Sequence, residues 1–188
     1  DPFSEILVNK SINNIKSLNF FKKVNSKIKS NDNTKTKEID IFVEEKPTGE
    51  IYATAGAGTS GASFGFGVKE NNFFGNGISL DSKALISSSQ FKGNFTVTNP
   101  NFNNSDKSIY GSLEATETDN YNTFGYKTNK TGFRIGTNFE YLNDFYLGLN
   151  TSNFYEKIET NSSASTQQKS QEGNYWDSFV KLDMSYDK

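Results

Sequence analysis

The spacing of hydrophobic residues changes about a quarter of the way along this 188-residue chain. Residues 5–18 space their apolar side chains about 3.6 residues apart, which predicts an amphipathic helix with Ser4 as its N-cap. Short alternating segments follow around Val24 to Ile28 and Ile39 to Val43, separated by a polar loop. Residues 1–48 are therefore predicted to form a small α+β unit of helix, strand, loop and strand.

From Gly49 onward, segments of about ten residues alternate with a period of two and end in Gly, Asn or Asp. In the clearest of them, Ala62 to Lys69, one face carries only Ala, Phe and Val, and the other carries Ser, Gly and Lys. The same two-faced pattern recurs near Ile78, Phe91, Ile109, Phe133, Phe145 and Trp176. The pattern predicts about eight strands and no further helix.

Connection lengths predict an up-and-down sheet whose two ends differ. The links around Thr118 to Lys130 and Lys157 to Asn174 are long and polar, whereas Leu142 to Asp144, at the opposite end, is tight. Transmembrane barrels combine long extracellular loops with short periplasmic turns. Residues 49–188 are therefore predicted to form part of an antiparallel up-and-down transmembrane β-barrel.

A soluble β-sandwich or adhesin module is the structural alternative, because alternation by itself does not exclude it. In a sandwich, the face opposite the core meets water and favours long polar side chains. Here that face carries many Gly, Ser and Asn residues, and the chain has 17 Phe and 9 Tyr at a mean hydropathy of −0.69. Both features favour a barrel with an outer aromatic band.

Composition argues against most catalytic chemistry. The chain has no Cys and no His, which removes disulfides, thiolate metal sites and the Ser-His and Cys-His nucleophilic arrangements. Its 20 basic and 22 acidic residues are scattered, so there is no electrostatic footprint for nucleic acid. No run approaches the roughly 20 apolar residues of a membrane-spanning helix. The sequence predicts no enzyme, cofactor, metal or nucleic-acid partner.

Two features that could signal ligand binding have structural explanations. Gly56 to Gly61 matches the G-x-G-x-x-G dinucleotide fingerprint, but that fingerprint must open a helix, and the strongest predicted strand begins at Ala62. We interpret it as a hairpin turn. Aromatic residues near predicted strand ends, among them Phe73, Phe74 and Trp176, are interpreted as anchors at a membrane interface rather than stacking platforms.

Four motifs, in order along the chain, resemble one family. Asn13 to Val24 resembles the second helix and following strand of a POTRA domain. Ile39 to Gly49 is similar to the last strand of that domain and its direct junction to the barrel in BamA-type proteins. Gly65 to Gly77 resembles the family's second barrel strand and first periplasmic turn, and Val97 to Phe102 resembles its second periplasmic turn.

The resemblance implies two domains. Residues 1–48 look like the C-terminal part of the barrel-proximal POTRA domain, without its first strand and first helix. Residues 49–188 look like the N-terminal strands, and thus the first half, of an antiparallel up-and-down outer-membrane β-barrel of the bacterial surface antigen type. Both ends of the chain are therefore expected to be cut points within a longer protein.

The family's function is an expectation that comes from this resemblance. It implies an outer-membrane assembly factor that folds and inserts β-barrel proteins by strand templating at a lateral gate. The implied partners are outer-membrane lipid, unfolded β-barrel client proteins and accessory assembly lipoproteins. The implied location is the bacterial outer membrane, with the N-terminal part in the periplasm. A related translocation pore, for autotransporter assembly or two-partner secretion, and a passive porin or receptor barrel are the alternatives.

The resemblance also identifies the first barrel strand as the gate strand, whose edge would pair with an incoming client strand. The residues of this predicted pairing edge are Glu50, Ile51, Tyr52, Ala53, Thr54, Ala55, Gly56, Ala57 and Gly58. The short side chains of Ala53, Ala55, Gly56, Ala57 and Gly58 predict a weakly held edge. The predicted domain junction comprises Glu45, Lys46, Pro47, Thr48 and Gly49.

Overall fold

The computed structural model describes residues 3–31, 36–58 and 61–187. The chain divides into two compact units, Asp1–Thr48 and Gly49–Lys188. The polar loop predicted near residues 32–35 lies outside the described residues, and so do Thr59 and Ser60 of the predicted hairpin turn.

The described residues of the N-terminal unit form one helix and one pair of antiparallel strands. Helix α1 spans Glu5–Ser17, and strands β1, Phe21–Asn31, and β2, Thr36–Glu45, pair antiparallel. This is the order of elements that the sequence predicts. Ser4 precedes α1 in an extended conformation, but its side chain makes no capping hydrogen bond; its carbonyl oxygen instead accepts the Val8 N–H at 3.1 Å.

An ion pair joins β1 and β2. Lys29 Nζ lies 2.6 Å from Asp40 Oδ2, and the hydrogen bond to Asp40, together with its negative charge, raises the pKa of Lys29 above its ordinary value. A raised lysine pKa contributes stability at neutral pH that is lost only as the pH rises through the folded-state pKa. Because the lysine is largely exposed, the contribution is small.

The C-terminal unit is one antiparallel sheet in which each strand pairs with the next along the chain. Its strands are β3 Gly49–Gly58, β4 Gly61–Phe73, β5 Ile78–Ser87, β6 Gln90–Asn99, β7 Lys107–Asn120, β8 Tyr126–Leu142, β9 Phe145–Thr160 and β10 Gly173–Tyr186. The predicted up-and-down order of eight strands is confirmed. Within the described residues, β3 and β10 are the two edges of an open sheet.

The strand register places the apolar residues on one side of the sheet, here called the outer face. One continuous row of paired positions runs through Val68, Ser82, Phe95, Leu113 and Phe133. Phe64, Leu113 and Val180 expose 63%, 61% and 78% of their surface. A β-sandwich would bury this face beneath a second sheet. The exposed apolar face is instead that of a barrel wall, whose outward band meets lipid.

The opposite, inner face is polar and carries ion pairs between strands. Arg134 Nη1 on β8 lies 3.3 Å from Glu114 Oε1 on β7, and Lys130 Nζ on β8 lies 3.4 Å from Asp177 Oδ2 on β10. Aromatic rings on this face also cover glycines in the neighbouring strand, as Tyr110 covers Gly136. The inner face thus carries small residues together with paired charges, as the interior wall of a barrel does.

The close approach of β8 to β9 depends on a glycine. A Cβ atom at Gly132 would overlap the carbonyl oxygen of Asn153 and come within 2.8 Å of Phe154 Cα, so the two backbones would have to separate. A Cβ at Gly111, also inside a strand, would meet nothing within 4 Å. Gly132 and Gly111 can therefore be compared as a crowded and an uncrowded glycine position in the same sheet.

We expect Gly132→Ala to lower the free energy of unfolding by about 1–3 kcal/mol, the usual cost of overpacking. Gly111→Ala should change it by no more than about 1 kcal/mol, because alanine fits there without strain. Denaturant titration of the protein folded in lipid vesicles measures both values. Equal losses for the two variants would contradict the register between β8 and β9.

Strands β7 and β8 extend further than the sequence pattern predicts. The long link expected from Thr118 to Lys130 is wrong, because β7 continues to Asn120 and β8 begins at Tyr126. Lys127 Nζ lies 2.7 Å from Glu117 Oε1 and 3.4 Å from Asp119 Oδ2 across the two strands. Charged residues that look like a solvated loop in the sequence thus form cross-strand pairs in the structure.

The β7–β8 and β9–β10 connections lie at the same end of the sheet, here called the loop end, and hydrogen bonds join them. Two short helices, α2 Tyr121–Phe124 and α3 Thr166–Ser170, correct the prediction that no helix follows Gly49. Asn161 binds the other loop twice, from its N–H to the Gly125 carbonyl and from its side chain to the Tyr121 carbonyl, both at 2.8 Å. Among the described residues, no helix is long and apolar enough to span a bilayer.

Candidate functional site

The predicted pairing edge lies in β3, which begins one residue earlier than expected, at Gly49, and ends at Gly58. It pairs with β4 from Gly49 opposite Glu70 to Gly58 opposite Gly61, and the described strands provide no partner on its other side. Every residue of β3 is solvent exposed. In an antiparallel pair, alternate residues direct their N–H and C=O groups away from the partner. β3 therefore presents a row of backbone groups at the sheet edge.

The side chains of β3 differ between its two faces. Ile51 is 85% exposed on the outer face and is followed there by three alanines, Ala53, Ala55 and Ala57. On the inner face, the Tyr52 ring covers Gly67 of β4, and its hydroxyl lies 3.5 Å from Asp81 Oδ1. Tyr52 is thus the largest side chain that β3 packs against its neighbour.

Sequence reasoning included Tyr52 in the pairing edge but missed this contact with Gly67. The two residues are fifteen positions apart and meet only because the register places them opposite each other. An aromatic residue opposite a glycine is a known way to fill a gap in a sheet. Finding it from sequence requires the register, which alternation alone does not supply.

A concave cavity of about 490 Å³ lies on the sheet beside β3. Its polar lining includes Tyr52, Thr54, Lys83, Lys92, Glu114 and Arg134. The edge strand therefore separates two environments, a charged inner surface on one side and an apolar outer face on the other.

The predicted junction residues divide between the end of one unit and the start of the next. Glu45 is the last residue of β2, and Gly49 is the first residue of β3. Lys46 is held by the N-terminal unit, because its N–H donates to the Phe20 carbonyl at 3.1 Å and its ammonium group to Asn19 Oδ1 at 2.6 Å. Only two residues separate Lys46 from the first residue of β3.

The described residues offer backbone pairing and apolar contact at β3. Nowhere among them do three or more His, Cys, Asp or Glu side chains come together in a way that could hold a metal ion. Glu117 and Asp119, which lie close together at the loop end, are bridged by Lys127.

The fold is similar to that of a solved crystal structure. It matches the crystal structure of BamA from Haemophilus ducreyi lacking POTRA domains 1-3 with a TM-score of 0.73 and 21% sequence identity. The match covers 94% of this chain and 36% of that chain, so this chain spans about a third of its length. No curated protein matches this chain. At this identity, the likeness establishes the fold.

A family model matches directly as well. The Omp85 superfamily domain matches residues 72–188, more than half of the chain, from the end of β4 through β10. This match supports an outer-membrane location and agrees with the exposed apolar outer face. The chain belongs to the Omp85 superfamily.

Proposed function

We propose that this chain is part of an assembly factor that folds and inserts β-barrel proteins into the outer membrane, with β3 as the strand that pairs with clients. The observation that carries the proposal is that β3 is paired along its whole length with β4 and, among the described strands, has no partner on its other side. Omp85 membership and the barrel-wall fold support it further. The activity is non-enzymatic and needs no cofactor.

Backbone hydrogen bonding provides the mechanism. Inside a bilayer, no water satisfies an unpaired N–H or C=O group, and each such group costs several kcal/mol. A client strand entering the membrane has the same requirement. Pairing with the edge of β3 satisfies both strands at once by β-augmentation. The edge thereby lowers the barrier to insertion of the first client strand.

The composition of β3 suits transient pairing. Ala53, Ala55 and Ala57 offer little side-chain contact on the lipid side, so few cross-strand interactions depend on the client's sequence. The backbone supplies most of the affinity, which allows one edge to accept many different clients and to release them.

The remaining partners and the location belong to the same proposal. Residues 1–48 are proposed to be the C-terminal part of the barrel-proximal POTRA domain, located in the periplasm and joined to β3 through the short segment Glu45 to Gly49. Accessory lipoproteins are proposed to act on the protein from the periplasm, without assignment to individual residues.

Disulfide trapping tests the proposal, because the chain has no native Cys. Ala53→Cys places a thiol on the edge strand, and Ala84→Cys places one in the same row of the outer face but two strands further in. A client carrying a single cysteine in its membrane strand should form a disulfide with the Ala53→Cys variant during assembly and not with the Ala84→Cys variant. The bond requires Cα atoms about 4.4–6.8 Å apart, which only a directly paired strand provides.

The same experiment separates insertion from translocation. A translocation pore would bring its cargo past the inner face, so that Lys83→Cys, beside the cavity, would trap cargo while Ala53→Cys would not. Trapping at position 83 alone would therefore reject the templating proposal in favour of a pore.

A further inference from the structure

A further cavity lies at the loop end of the C-terminal unit and is here called the loop-end cavity. Residues 86–91 form one side of it, and the end of β7 together with α2 forms the other. Its volume is about 480 Å³, within the roughly 300–1,000 Å³ of small-molecule sites. It shares no lining residue with the cavity beside β3.

Hydrogen bonds hold the two sides of the loop-end cavity in place. The Asp119 N–H donates to the Ser89 carbonyl at 2.8 Å, which joins the β5–β6 turn to β7. The Tyr121 N–H donates to Asp119 Oδ1 at 3.1 Å, and the Tyr121 carbonyl accepts the Asn161 side chain at 2.8 Å, which fixes the start of α2. The cavity is therefore shaped before a ligand enters, which lowers the entropic cost of binding.

The lining combines many polar groups with one apolar patch. Its hydroxyl, amide and carboxylate groups include those of Ser87, Ser89, Glu117, Asp119, Asn122 and Thr123. The apolar patch consists of Ile86 and Phe91, which pair with each other on the outer face and are 46% and 40% exposed. A ligand that fits this lining has one apolar face and several polar groups around it.

The charges of the lining favour a neutral ligand that donates hydrogen bonds. Glu117 and Asp119 line the cavity, whereas Lys127, which pairs with both, does not. A phosphate or another anion would meet these carboxylates. A carboxylate only accepts hydrogen bonds and has about four positions for them. Glu117 binds Lys127 through Oε1, which leaves Oε2 for a hydroxyl group of the ligand.

We propose that the loop-end cavity is a binding site for a neutral saccharide. A pyranose ring has a face of C–H groups that packs on an aromatic ring, and its hydroxyl groups both donate and accept hydrogen bonds. Phe91 provides the aromatic ring, Glu117 accepts from sugar hydroxyls, and the Asn122 amide donates to sugar oxygens. This proposal concerns the loop end and does not depend on client pairing at β3.

A soluble glycan and the headgroup of a membrane glycolipid present the same sugar chemistry to this site. Because Ile86 and Phe91 belong to the exposed apolar outer face, a glycolipid can keep its acyl chains along that face while its sugar fills the cavity. The experiment therefore has one arm for each source.

Tryptophan fluorescence tests the proposal, because the chain has only one Trp, Trp176. In a Trp176→Phe background, Phe91→Trp places a reporter in the cavity. Phe95→Trp is the matched control, because Phe95 lies on the same face of β6, is also 40% exposed and does not line the cavity. The full chain is reconstituted in phosphatidylcholine vesicles. Lactose, maltotriose and chitotriose are added in solution, and lactosylceramide and diglucosyl diacylglycerol are incorporated into the vesicles.

We expect a saturable change in emission from the Phe91→Trp variant with at least one of these probes, and none from the Phe95→Trp variant. Adding Asn122→Ala should raise the half-saturating concentration about fivefold, the usual effect of losing one hydrogen bond. A response to a soluble sugar supports the proposal with a free glycan as the source. A response to the glycolipids alone supports it with a membrane lipid as the source.

Unchanged emission with all five probes would overturn the proposal, and so would equal responses from the two reporters. An equal response to inorganic phosphate would also overturn it, because the site would then select anions. A half-saturating concentration unaffected by Asn122→Ala would place the sugar outside the cavity. Should Phe91→Trp fail to fold, Asn122→Trp places the reporter on the opposite side of the cavity, and the same outcomes apply.

Discussion

Replacing Leu113 with lysine is expected to lower the free energy of unfolding in a lipid bilayer by about 2–4 kcal/mol, the cost of a lysine at the bilayer midplane on the lipid face of a barrel. Leu113 is 61% exposed and lies between Phe95 and Phe133 on the outer face. Because both of these paired neighbours are apolar, neither can accept the new charge, and the loss should therefore be large.

Thr96→Lys is the matched control for this substitution. Thr96 lies on the inner face of the adjacent strand, paired with Asp81, whose carboxylate can accept a lysine. We expect its effect to stay within about 1 kcal/mol. Denaturant titration in vesicles compares the two variants. A larger loss for Thr96→Lys than for Leu113→Lys would mean that the faces of the sheet are reversed.

A proline scan of β3 is expected to give two alternating classes of variant. Proline removes a backbone N–H and is tolerated in sheets only where that N–H faces away from the partner strand. Since alternate residues of β3 direct their N–H groups to β4 and to the free edge, successive substitutions from Ile51 to Ala55 should alternate in their effect.

One class should lose folding stability by about 1–3 kcal/mol, because a hydrogen bond to β4 is lost. The other class should fold normally but insert clients about tenfold more slowly, because the lost donor faced the client. Heat-modifiability on gels reports folding, and the rate of client assembly in vesicles reports function. If folding stability and the rate of client assembly both fell at every position, the result would contradict a separate client-pairing role for the free edge of β3.

Side-chain direction within a strand could be predicted from sequence because it is set locally. Phe64, Phe66 and Val68 alternate with Ser, Gly and Gly, and the same residues lie on the outer face in the structure. The ends of the strands were harder to predict where a strand continues into polar sequence beyond its apolar residues. Lys127 and Glu117 have loop-like composition, but their contact keeps β7 and β8 paired beyond the apolar band.

The candidate site could be predicted only in part. The short side chains of β3 are visible in the sequence, but whether a strand lies at an edge depends on which strands pair, and the family resemblance supplied that expectation. The packing of Tyr52 over Gly67 depends on register, and the docking of Asn161 onto Gly125 depends on how two loops fold together. Neither contact leaves a periodic signal in the chain.

The most direct test of client pairing is the register of the trapped complex. Cysteines placed singly at Ala53, Ala55 and Ala57 should each form a disulfide with a different client position, and each step of two residues along β3 should shift the client position by two. Such a ladder is expected only from continuous strand pairing. Disulfides from all three positions to one client residue, or none above the level of Ala84→Cys, would contradict the account.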